Sequence, residues 1–219
     1  MQKNKKCTIF AEKNYKTVQR LQIDYKKKRK KQNSKSIEMK EFYKKQVVYL
    51  PRATIEKAKK FASDVIDTVN YEDSNQINRT KIKDDHFISK LGEEAVKKVF
   101  ENLGKSVNGP DYTIYSQKQK SWAADLRVEG KDLAVKTMKK SAASKYGLSW
   151  TFQSSSFRRD SILDKPNAWV VFVEVDDTDP AKPCTVYSPC QMKELTLKDP
   201  VLQHLKGKKL VAYAKDLPL

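Results

Sequence analysis

Two runs of alternating side chains on either side of a glycine turn constrain this chain more than any other stretch. From Trp122 to Lys140 the sequence reads WAADLRVEGKDLAVKTMKK. Ala124, Leu126 and Val128 alternate with Ala123, Asp125 and Arg127. After Glu129-Gly130-Lys131, Leu133, Val135 and Thr137 alternate with Ala134, Lys136 and Met138. Alternation with a period of two around a Gly-containing turn predicts a β-hairpin. Side chains two apart on a strand share a face, so residue 134 and Lys136 project together. If Asp125 faces the same way, a carboxylate and an ammonium meet on one side of the hairpin. Taken alone, such a hairpin is equally an ordinary surface feature, and the rest of the chain must decide.

The flanking patterns supply a core for it. Ile88 to Leu103 reads as a helix, with Ile88, Leu91, Ala95, Val96, Val99, Phe100 and Leu103 on one side and Gly104 as its stop. Glu94, Lys97, Lys98 and Glu101 fall on the polar side of that helix, whereas Glu93 sits at the border of the apolar arc. A carboxylate aimed at the core margin needs a partner, a water path or a task, unless it simply reaches round to solvent. Upstream, Ser36 to Lys45 fits a short helix and Ala53 to Val69 a longer amphipathic one, with Glu72 to Lys83 as a polar connector. Tyr112 to Ser116 reads as a short strand ahead of the hairpin. Beyond it come a helix start at Ser141 to Gly147 and an ambiguous Leu148 to Gln153. Ala168 to Val175 is apolar enough for a strand buried on both faces. Thr185 to Tyr187 is a further strand, Pro189 opens a helix to Leu195, and Leu210 to Ala214 closes the sheet.

Charge identifies the class of partner. The formal net charge is +18, and it is unevenly spread. Met1 to Lys60 holds 20 Lys and Arg against five Asp and Glu, leaving the remaining residues nearly balanced. The block KKKRKKQNSK, with Lys26, Lys27, Lys28, Arg29, Lys30 and Lys31, is an exposed basic arm in this reading. A polyanion is its natural partner, and nucleic acid is the common one. The block lacks the apolar face that a membrane-surface helix needs. The longest apolar run is too short to cross a bilayer, and the lysine-rich N-terminus lacks a signal peptide's apolar stretch. Cys7, Cys184 and Cys190 form no CxxC pair. Neither a disulfide framework nor a zinc site is expected, and a reducing, cytoplasmic setting with access to DNA is.

Helix, strand, hairpin, helix, buried strand and strand, in that order over residues 86–190, resemble the core of the PD-(D/E)XK, or restriction-endonuclease-like, nucleases. In that family an Asp opens one strand and an acid, any residue and a Lys follow on the next. Asp125 and Ala134-Val135-Lys136 occupy these positions, with Ala where the second acid belongs. Many members carry Gly-Glu on the leading helix with apolar residues three and seven positions after the Glu, as Gly92-Glu93, Val96 and Phe100 do here. The resemblance implies an α/β (α+β) fold: a mixed-sheet core over residues 86–219 flanked by helices, with a basic, mainly helical DNA-binding region over residues 1–85. It implies an endonuclease of restriction or homing type, dependent on Mg²⁺ or Mn²⁺, acting on double-stranded DNA, often as a homodimer.

By the same resemblance Asp125, Glu93 and the backbone carbonyl of Val135 would hold the metal, and Lys136 would orient or deprotonate the attacking water. Lys139, Lys140, Arg158 and Arg159 follow the site in sequence and are expected at phosphates or base edges. Asp111, in a literal Pro110-Asp111, is the runner-up to Asp125. Three readings of Ala134 stand open: a substitution that leaves DNA bound but uncut, a naturally degenerate descendant, or an acid moved elsewhere, with Glu129 and Asp132 the nearest. A non-enzymatic nucleic-acid-binding protein on a nuclease scaffold is the competing class, and a Holliday-junction or other structure-specific nuclease the subordinate one.

Overall fold

The structure, a computed structural model, describes residues 39–68, 78–115 and 124–218. The basic block at residues 26–35 lies outside them, as do Cys7 and the first residues of the hairpin stretch. From Met39 onward the chain forms one compact unit. Its class is α+β: helices on one side of a mixed sheet, and a small second sheet on the other.

The helical layer has two members. α1 (Arg52–Val65) buries Ala58, Ala62 and Val65, which fall on one face at helical spacing. α2 (Arg79–Asn102) is longer than its periodicity suggests. The Asn78 side chain accepts a hydrogen bond from the Lys81 N–H at 3.0 Å and starts the helix before the apolar stripe begins. Residues 79–83 are therefore helix rather than connector, and α2 runs unbroken across the 85/86 position. Gly104, at φ +73°, follows its end.

Among the described residues the main sheet contains β1 (Gln46–Val48), β2 (Val107–Asn108), β3 (Leu126–Val128), β4 (Lys131–Lys139), β6 (Trp169–Val175), β7 (Cys184–Val186) and β8 (Cys190–Gln191). Their order is β1-β7-β6-β4-β3-β2, with β8 on the other end of β6. β3 and β4 form the expected hairpin, with Leu126 opposite Leu133. Glu129 and Gly130 both take positive φ at its turn, the geometry that matches the right-handed twist of the strands. β4 then runs parallel to β6 from Leu133↔Trp169 to Lys139↔Val175. Parallel pairing needs a crossover, supplied here by α3 (Lys140–Tyr146), β5 (Ser149–Gln153) and the loop after it.

Two apolar clusters lie on opposite faces of β4 and β6. Leu133, Val135, Val171, Val173 and Val175 pack under α2 with Leu91, Ala95, Val96 and Phe100. Ala134, Met138, Val170 and Phe172 face a second cluster with Trp150 and Phe152 of β5. β6 is thus apolar throughout because both of its faces are covered.

Several elements depart from the sequence expectation. Residues 39–45 are irregular rather than helical, with Met39 and Phe42 buried in the first cluster as anchors. Residues 111–115 form no strand; the strand ahead of the hairpin is β2, pairing Val107 with Val128. Cys190–Gln191 is strand, and the expected helix to Leu195 is reduced to one 3₁₀ turn, Met192–Glu194. β9 (Lys209–Tyr213) pairs with β5 in the second sheet and does not close the first. No described helix is long and apolar enough to cross a membrane.

Candidate functional site

β3 accompanies β4 for only three residue pairs, and the ladder ends at Leu126↔Leu133. Beyond that point no strand among the described residues pairs with this edge of β4, and a side chain takes over. Asp125, immediately before β3, accepts a hydrogen bond from the Val135 N–H through Oδ2 at 2.7 Å. The N–H and C=O of one strand residue point the same way, so the Val135 carbonyl is directed to the same edge. Asp125 therefore lies at the strand edge, in the plane of the hairpin, instead of projecting from the face that carries Ala134 and Lys136. The parting of the strands frees it from the pleat.

α2 brings in Glu93. Gly92 makes its placement possible, since a Cβ there would lie 2.0 Å from Thr137 Oγ1 on β4. With no side chain at 92 the helix seats directly on the strand, and the next residue meets the strand edge. Glu93 is only 5 % exposed. Its Oε2 pairs with Lys90 Nζ at 2.6 Å and its Oε1 accepts from Ser89 Oγ at 3.4 Å. Burial pushes its pKa up to about 7 against the pull of Lys90, and the negative charge of Asp125 adds to the rise. Burial likewise raises Asp125, opposed by the Val135 N–H and by Lys136 and Lys90, while Asp160 pushes the same way as burial. These charges belong to one electrostatic unit. Glu94, on the polar side of the wheel, is half-buried and accepts the Tyr112 hydroxyl at 2.9 Å, so it is not a solvated bystander.

Lys136 sits on the other face of β4. Its Nζ donates to Asp160 Oδ2 at 2.7 Å and lies 5.0 Å from the Phe152 ring centroid. The same Asp160 oxygen accepts from the Gln153 N–H at 3.1 Å. Ala134 shares this face and is packed against the second cluster. Asp160 carries no sequence signal: it lies in a loop far along the chain from Lys136, outside any periodic run. Its one cue is adjacency to the basic pair Arg158-Arg159.

The other candidates are placed elsewhere. Asp111 accepts from the Thr113 N–H at 2.8 Å and the Tyr115 hydroxyl at 2.6 Å, and so is used to brace its own loop. Glu129 accepts from the Ser106 N–H at 2.7 Å beside the hairpin turn. Asp132 pairs with the cross-strand Arg127 at 3.1 Å and stands about 13 Å along the strand from Lys136. Both carboxylates are engaged in these contacts at the turn end of the hairpin. Among the named basic residues, Lys139 pairs with Asp84, Lys140 with Asp176, and Arg159 with Asp164 through two guanidinium nitrogens. Arg158 is exposed at a loop tip. Lys26 to Lys31 lie outside the described residues. Compared with protein-family models, with curated proteins and with solved structures, the chain matches none of them.

Proposed function

We propose that the chain is a divalent-metal-dependent DNA endonuclease on a restriction-endonuclease-like core, carried in a form that lacks the acid of its second strand. The observation that supports this reading most is the Asp125–Val135 hydrogen bond where β3 and β4 part. It brings a carboxylate and a backbone carbonyl to one strand edge, where Asp125 feels the charge of Lys136 and in turn perturbs the buried Glu93.

The donor set suits Mg²⁺ or Mn²⁺, since Asp125, Glu93 and the Val135 carbonyl offer oxygen only. Among the described residues no three His, Cys, Asp or Glu side chains come together as a cage. A hard cation that keeps several waters and binds substrate phosphate needs no such cage. When bound, it supplies charge stabilisation at the phosphate and a water of lowered pKa. The chain's own groups do the rest. Lys136, held by Asp160, offers an ammonium to the phosphate or the attacking water. Glu93, with its pKa near 7, can hold or release a proton at neutral pH.

Ala134 is the missing piece. A carboxylate at that position would share its face with Lys136 and add an oxygen ligand two residues away. The test is cleavage of plasmid DNA with Mg²⁺ by the parent chain, by Ala134→Glu, and by Ala134→Glu combined with Lys136→Ala. Cleavage by the single variant alone, above the parent by orders of magnitude, is the expected outcome. An Ala134→Glu protein that binds no metal and leaves DNA intact sinks the reading. One observation favours the alternative, a non-cleaving DNA-binding protein: Ala134 is packed against the second apolar cluster, as an ordinary core-margin alanine would be.

A further inference from the structure

β5 and the segment after it form a short pinned loop beside Lys136. The Ser154 N–H bonds to the Lys208 carbonyl at 2.9 Å, and Ser154 and Arg159 form an antiparallel bridge. The Asp160 N–H returns to the Gln153 carbonyl at 2.9 Å. Within the loop, Ser155 Oγ donates to the Arg158 carbonyl and accepts from the Arg158 N–H, both at 3.1 Å. Arg159 is fastened to Asp164. All of this bonding fixes the base of the loop and leaves its tip outside. At the tip Phe157 is fully exposed, at 101 % of its reference surface, with Arg158 beside it.

An aromatic ring held in water on a braced loop buries nothing in this chain. Its exposed neighbours in sequence and at the loop base include several cations. Lys209, adjoining the loop base, has its charge disfavoured by burial and by Lys81 and Arg158, against the pull of Asp85 and Asp160. Lys206 and Lys208 are exposed in the adjoining turn. The acids of this region are engaged, Asp160 with Lys136 and Asp164 with Arg159, while Arg158, Lys206 and Lys208 are exposed cations. That combination of backbone-tracking charge and a stacking platform suits nucleic acid. The tip also lies three residues from Asp160, which holds Lys136.

We infer that Phe157 stacks on a base at an unstacked step of duplex DNA, with Arg158 on the adjoining phosphate, so that the protein recognises DNA opened next to the candidate site. The inference rests on the DNA reading proposed above and adds the conformation of the substrate. Opening a paired step consumes unstacking energy, which an unpaired nucleotide has already met. The chain should therefore prefer a duplex with one bulged nucleotide over the same duplex fully paired.

The experiment measures affinity of the full chain for both duplexes by fluorescence anisotropy, without divalent metal, over a range of salt. Phe157→Ala should bind the bulged duplex about tenfold more weakly and lose the preference. Phe157→Trp should keep it. Arg158→Ala should weaken both and lower the salt slope by about one. Phe157 touches no core, so these variants fold. Equal binding of the bulged duplex by the parent and Phe157→Ala overturns the inference while leaving the nuclease reading intact. A preference retained in a protein whose Ala134→Glu form never cuts overturns the nuclease reading instead. Failure to bind either duplex overturns both.

Discussion

Glu93 shows how far a single residue can be read in advance. Its place at the margin of an apolar arc was enough to single it out, because a helical wheel separates it cleanly from Glu94. What the wheel could not supply was Lys90, whose ammonium joins Glu93 inside a nearly closed site. Asp160 was illegible for the opposite reason, since its contact with Lys136 depends on how a loop folds back. The raised pKa of Glu93 has a sign that can be checked. Because the folded value, about 7, lies above the unfolded one, the group contributes stability fully below pH 4.5. That contribution is lost as pH rises through about 7. Glu93→Gln, which cannot ionise, should lack this dependence. Urea unfolding across the window should therefore show the parent losing up to about 3 kcal/mol relative to the variant as pH rises. Parallel curves for the two proteins would mean that Glu93 is ionised in the folded state throughout.

At the scale of elements, strong periodicity was reliable and weak periodicity was not. The hairpin, α1, the body of α2 and β6 follow directly from their apolar spacing. Leu210 to Ala214 was legible as a strand but not as β5's partner, because sheet membership is a tertiary choice that alternation does not encode. Pro189 misled in the other direction: it opens a short strand, and the 3₁₀ turn after it is too brief to have a period. The contact of α2 with β4 rests on one glycine, and this makes it testable. Gly92→Ala forces a Cβ against Thr137 and should destabilise the fold by about 1–3 kcal/mol. Thr137→Ala in the same chain should recover much of the loss by removing Oγ1 and Cγ2. Thr137 Oγ1 is buried with no hydrogen-bond partner among the described residues, so its removal breaks no bond there. Additive losses in the two-residue cycle would show that helix and strand meet elsewhere.

For the molecule as a whole, the separation of charge along the chain is the feature the sequence expressed most openly. If the basic first segment binds phosphate, deleting residues 1–35 should flatten the salt dependence of DNA binding, since fewer counterions are released. A slope equal to that of the full chain would assign the affinity to the folded unit, where the cations around Arg158 are the alternative source. The geometry of β4 reaches further. Glu93 arrives from the helical layer, Lys136 faces the second sheet, and Asp125 bridges them at the edge. Glu93 and Asp125 are therefore coupled only while the helix and the strand keep their alignment. A slide of α2 along β4 would carry Glu93, with its partner Lys90, away from Asp125 without breaking a covalent or ladder bond, so the spacing of the two carboxylates registers the alignment of the layers. Whatever grips both layers at once sets that spacing.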